Sequence, residues 1–73
     1  MTNKAAFTKI LKGHTGRPVT LETNREHGYQ EYMDWELEQV STNHFRVHDF
    51  RFEVEEITSM RSRHGNLEIK IIK

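Results

Sequence analysis

The chain has 73 residues, eleven of them Lys or Arg, eleven Asp or Glu, and none Cys. That length suits one domain with a thin core, because so short a chain buries only about 60% of the surface it exposes when unfolded. Lack of cysteine excludes disulfides, thiolate zinc sites and a cysteine nucleophile, and a formal charge of zero argues against a dedicated phosphate binder.

A short helix is expected from about Lys4 to Lys12, capped by Asn3 or Thr2. Phe7, Ile10 and Leu11 would form its apolar stripe. Lys9 and Lys12 suit the negative end of the helix dipole, and Gly13 suits the position that ends a helix. From Pro18 the hydrophobic period becomes two. Val19 and Leu21 alternate with Thr20 and Glu22 in a first strand, and Asn24-Arg25-Glu26-His27-Gly28 reads as a turn.

A long second strand follows, from about Tyr29 to Val40. Its alternation puts Met33, Trp35 and Leu37 on one side and Tyr32, Asp34, Glu36 and Glu38 on the other. Trp35 is therefore expected in the core and Tyr32 as an exposed contact. The phase slips between Leu37 and Val40, which predicts a bulge or bend. Ser41-Thr42-Asn43 turns into a third strand with Phe45 and Val47, and His48-Asp49 turns tightly into a fourth with Phe50, Phe52 and Val54. A half-turn at Glu55-Glu56 brings Ile57 and Met60 inward. Arg61 to Asn66 reads as a polar loop, and Leu67, Ile69 and Ile71 alternate in a last strand. The expected fold is mainly β: a short N-terminal helix, then a five-stranded, strongly bent antiparallel sheet or small barrel over residues 1–73. Closure would hide edges that invite aggregation.

The helix with Phe7, Ile10 and Leu11, the run Gly16-Arg17-Pro18-Val19-Thr20-Leu21, Gly28, the bent second strand and Val40 to Phe45 together resemble the Sm-like, SH3-like small barrels. The run Phe52 to Met60 is similar to the Sm-type fourth strand and half-turn. The RNA-binding members of that family would place Asp and Asn after the second strand and an Arg-Gly or Tyr-Lys-His element near the fourth. Here only Asn43 is kept, with Ser41 near the expected acid and Glu55-Glu56 at the fourth-strand end. The stretches Leu37 to Ser41 and Ile57 to Ser59 also resemble the Rof-type inhibitors of the transcription terminator Rho. That resemblance implies a small domain that covers a protein's RNA-binding face.

Charge is distributed unevenly along the chain. Lys4, Lys9, Lys12 and Arg17 are unopposed; then Glu22, Glu26, Glu31, Asp34, Glu36 and Glu38 meet only Arg25. Arg61, Arg63, Lys70 and Lys73 outweigh Glu68 at the end. The acidic second strand, with Glu31, Tyr32, Asp34, Glu36 and Glu38, is the candidate docking strip for a protein partner. As a solvated face its acids would lie opposite Arg46 and Arg51. The competing reading uses Lys9, Lys12, Arg17, Arg61, Arg63 and His64 to bind RNA or DNA phosphates, with the rings of Tyr29, Tyr32 and Trp35 available to stack on bases. A third possibility is a homo-oligomer formed by edge-strand pairing.

His44 and His48 are four apart, but on a strand and turn rather than a helix, so no metal or other cofactor is expected. Carboxylates two apart can form a hydrolase pair, yet no nucleophile triad, glycine-rich phosphate loop or nucleotide fingerprint accompanies them. The expectation is a small protein-interaction module, a regulator or inhibitor, and not an enzyme. No apolar run approaches the ~20 residues that cross a bilayer, and Met1-Thr2-Asn3-Lys4 leads into no signal-like stretch. Without disulfides, the expected location is the cytoplasm.

Overall fold

The computed structural model describes residues 4–25 and 28–72. The expected helix cap at Thr2 or Asn3, and Glu26 and His27 of the first turn, lie outside them. Helix α1 runs Lys4–Gly13. Leu11 is fully buried and Phe7 packs half-buried against the core, whereas Ile10 stays outside, so the stripe is two residues wide rather than three. The helix end is tied off by the residues after it. Thr15 Oγ1 donates to the Leu11 and Lys12 carbonyls at 3.2 and 3.1 Å, and His14 Nδ1 lies 3.3 Å from the Ile10 carbonyl. Gly16, not Gly13, takes the left-handed conformation (φ 85°) that turns the chain into the sheet.

Six strands follow: β1 (Pro18–Thr23), β2 (Gln30–Ser41), β3 (His44–Val47), β4 (Phe50–Glu53), β5 (Ser59–Arg63) and β6 (Asn66–Ile71), with a 3₁₀ turn at Val54–Glu56 between β4 and β5. They form one sheet in the order β4-β3-β2-β1-β6-β5. All neighbours are antiparallel except β1 and β6, which run parallel with Val19 opposite Leu67. The sheet is thus six-stranded, mixed and unclosed, where five antiparallel strands were expected. The missed strand is β5. Its sequence, Ser-Met-Arg-Ser-Arg, has no apolar alternation because it lies at an edge and buries only part of Met60. The supposed loop from Arg61 to Asn66 is a hairpin, with Arg63 opposite Asn66. His64 and Gly65 at its tip have φ of 50° and 79°, the signs that a tight two-residue hairpin turn demands.

The core is built from alternating residues, among them Val19 and Leu21, Phe45 and Val47, Phe50 and Phe52, and Leu67, Ile69 and Ile71. Leu37, Val54 and Ile57 complete it. Thr23 continues the β1 alternation as a buried polar residue, its hydroxyl oxygen accepting from the Arg25 N–H at 3.0 Å. Strand β2 departs from simple alternation twice. Gln39 pairs with Phe45 and Ser41 with His44, so Val40 is an extra residue, close to the expected slip. A second, unexpected extra residue lies further back, where Trp35 pairs with Val19 but Tyr32 with Leu21. It coincides with Asp34, whose φ is 60°.

That second bulge moves Tyr32 into the inward phase and Met33 out of it. Tyr32 is half-buried and packs on the core; Met33 is 59% exposed. Trp35 keeps the register of buried Val19, but its indole is 45% exposed and does not join the core cluster. The expectations of a buried Trp35 and an outward Tyr32 are both reversed.

This assignment can be checked by urea unfolding. Phe52→Ala should cost ~3–5 kcal/mol, and Trp35→Ala only about 1 kcal/mol, the worth of a surface ring pair. Equal losses at the two positions would return Trp35 to the core.

Candidate protein-binding patch around Trp35

The patch begins with two backbone irregularities. Three non-glycine residues among those described have positive φ, and Asp34 (60°) and His48 (58°) are two of them. Each costs roughly 1–2 kcal/mol relative to ordinary backbone, although Asp and His tolerate it better than most. Asp34 sits in the β2 bulge. His48 is the first residue of the two-residue turn that joins Val47 of β3 to Phe50 of β4. The pair brings the next side chain of β2 and the tip of the β3–β4 hairpin into contact. The Trp35 indole and His48 imidazole lie face to face, their centroids 4.0 Å apart and their planes 20° from parallel.

Behind this stack the rings continue inward. Tyr32 lies 6.0 Å from His48 and 5.9 Å from Phe50, and Phe50 is 6.2 Å from Phe52 in the core. An exposed indole is thereby linked through aromatic contacts to the buried core. Trp35, His48, Asp34, Glu36 and Glu38 line an open hollow of about 310 Å³.

The carboxylates of β2 divide into three groups. Glu38 lies opposite Arg46 and accepts a hydrogen bond from its guanidinium, as the acidic-face reading anticipated. Arg51 pairs in register with Arg46, one strand further from the acids. Asp34 and Glu36 are exposed, and no described residue forms an ion pair with either. Glu31 lies beyond the bulge, opposite Glu22 of β1, and Tyr32 donates its hydroxyl to Gln30 at 3.1 Å. The expected acidic strip is therefore not continuous. Asp34, Glu36 and Glu38 gather at Trp35, and Glu31 and Tyr32 do not line that hollow.

The basic candidates gather less well. Lys9 and Lys12 are exposed on α1, and Arg61 of β5 makes an ion pair with Glu68 at 3.4 Å. The parallel β1–β6 register places Arg17, just before β1, at the same end of the sheet as the turn carrying Arg63 and His64. At that end, however, the register partner of Pro18 is an acid, Glu36. A second hollow, of about 270 Å³, lies over β5 and β6 between Ser59, Met60, Arg61, Glu68 and Lys70. Among the described residues, no three His, Cys, Asp or Glu converge as a metal site. His44 is half-buried within β3, while His48 is committed to the indole stack.

Sequence reasoning passed over His48 as a site residue. The signal was present: a two-residue loop between two alternating apolar runs must hold a residue at positive φ, and its side chain then stands at a hairpin tip. No residue pattern marked the bulge at Asp34. No protein-family model matches the chain, nor does any curated protein or any solved structure. Among the described residues no helix is long and apolar enough to cross a membrane.

Tyr29, the remaining ring candidate, is 60% exposed, and its hydroxyl donates to Glu22 Oε2 at 2.8 Å. That hydrogen bond, with partial desolvation and the charges of Glu22 and Glu31, pushes the phenol up to about 12. Since the folded value is raised above the ordinary one near 10, its stabilising contribution is complete below about pH 10. It is lost as pH rises from there through about 12. Glu22→Gln should bring the Tyr29 titration back toward 10 in ultraviolet absorbance. A wild-type Tyr29 titrating at the ordinary value would show that the pair does not persist in solution.

Proposed function

We propose that this protein is a small interaction module that docks a basic segment of a protein partner on the β2 face around Trp35. One observation carries the reading: a half-exposed indole is held flat on His48 by two left-handed residues, beside two carboxylates with no ion-pair partner among the described residues. A thin-cored chain gains little stability from such an arrangement. Tryptophan is prominent among the few residues that dominate binding energy at interfaces, and strained backbone concentrates where side chains are set for use. The module would act as a regulator or inhibitor by covering its partner's surface. This is the mode that the resemblance to Rof-type inhibitors would imply.

The rival reading is a nucleic-acid binder using Lys9, Lys12, Arg17, Arg61, Arg63 and His64. The register that brings Arg17 beside the His64 turn favours it. Glu36 at that end and the Arg61–Glu68 pair oppose it.

A pull-down of the tagged chain from its host's lysate, with and without nuclease, separates the two. The expected result is one stoichiometric protein that survives nuclease and is weakened about 30-fold or more by Trp35→Ala, as at an interface hot spot. The triple change Glu31→Lys, Asp34→Lys and Glu36→Lys should also abolish capture. Undiminished binding by both variants would overturn the docking face. Partners lost on nuclease treatment would transfer the function to the basic end of the sheet.

A further inference from the structure

We infer that the group recognised at this patch is an arginine side chain of the partner protein, its guanidinium lying on the outer face of Trp35 and forking onto Asp34 and Glu36. The inference rests on the docking face proposed above and specifies its chemistry. His48 stacks on one face of the indole and the residue is still 45% exposed, so a ligand would reach it on the other face or the edge. The face of a tryptophan ring attracts cations more strongly than that of any other side chain. Asp34 and Glu36 immediately flank Trp35 in the chain and line the same hollow, whereas Glu38 already has Arg46. An approaching cation would thus find a ring and two carboxylates with no ion-pair partner among the described residues.

The protein builds this same combination elsewhere in the fold, with the cation in place. The Arg25 guanidinium carbon lies 4.1 Å from the centroid of the Phe50 ring. One of its nitrogens donates to both carboxylate oxygens of Glu56, at 2.7 Å to Oε2, and the other donates to the Arg51 carbonyl at 2.8 Å. Ring face, carboxylate and guanidinium form one unit there. The Trp35 patch repeats the ring and the carboxylate and leaves the place of the guanidinium open to solvent. Arginine fits this better than lysine. Its planar group lies flat on an aromatic face while its edge donors reach carboxylates, and it is weakly hydrated, so it loses less on leaving water.

The chain has a single tryptophan, so its fluorescence reports on this site alone. The full chain would be titrated at low salt with a blocked Gly-Arg-Gly-Arg-Gly peptide and with its lysine and citrulline counterparts. The expected result is a saturable change with the arginine peptide and binding about tenfold weaker or worse for citrulline, which keeps the shape but not the charge. Lysine should fall in between. The double variant Asp34→Asn, Glu36→Gln should weaken the arginine peptide about tenfold; asparagine also tolerates positive φ, so the bulge survives the change. Unchanged circular dichroism and an unchanged unfolding midpoint would show that this variant is folded.

No saturable response, equal binding of the citrulline peptide, or full affinity in the double variant would each overturn the inference. A fluorescence change driven by protein concentration alone would assign the face to a second copy and overturn it too. If the arginine peptide fails while partner capture still depends on Trp35, the docking face stands and only its arginine chemistry falls. If both fail, the face falls with it.

Discussion

One extra residue in β2, at Asp34, determines what the rest of this surface is. Without it, the strand would carry Tyr32 and Asp34 on one face and Met33 and Trp35 on the other. With it, Tyr32 turns into the core beside Phe50, Met33 turns out, and Trp35 stays opposite Val19 with its indole reaching the β3–β4 turn. The β-bulge is a common device for re-aiming side chains at functional edges. Here it does so with a non-glycine residue in a conformation glycine would occupy more cheaply. A position selected for backbone comfort alone would favour glycine. An aspartate there is consistent with use of its carboxylate.

Much of the architecture was legible because its period-two runs are clean: Val19 and Leu21, Phe45 and Val47, Phe50 and Phe52, and Leu67 to Ile71 are all buried as their spacing implies. The helix was legible through Phe7 and Leu11. Three features were not, for separate reasons. Strand β5 buries almost nothing, so its sequence is free of the alternation that betrays a strand. The parallel β1–β6 pairing is a long-range choice that no local pattern encodes. The bulge at Asp34 leaves the alternation of Met33, Trp35 and Leu37 intact on paper while breaking it in space. Sequence reasoning singled out the acidic residues, whereas Trp35, which lines the same hollow as Asp34, Glu36 and Glu38, was assigned to the core.

Electrostatics then sorts these acids by what lies across the strand. Glu38 is opposite Arg46 and Glu56 is held by Arg25, so their charges are spent inside the fold. Glu22 and Glu31 face each other, and the Tyr29 hydroxyl donates to Glu22, which eases part of the repulsion. Such exposed pairs contribute ~0–1 kcal/mol each and mainly fix register. Asp34 and Glu36 are different because register sets Glu36 against Pro18 and the bulge leaves Asp34 with no residue across from it. That no described residue forms an ion pair with either follows from topology. It could not be read from the even spacing of Asp34, Glu36 and Glu38.

The energetics explain why the patch can exist in so small a domain. A chain of this size has roughly 4–11 kcal/mol of stability, and two left-handed residues cost an appreciable part of it. Their compensation is local: the Trp35–His48 stack and the Tyr32 contacts to His48 and Phe50 are each worth about 0.5–1.5 kcal/mol. The strained turns and the rings thus hold one another in place. On the docking reading proposed above, a partner landing on Trp35 would meet a side chain already held by its ring contacts, so less ordering entropy would oppose binding. The same coupling means that His48, which need touch no ligand, governs how the indole is presented. Its contribution would be to orientation rather than to contact.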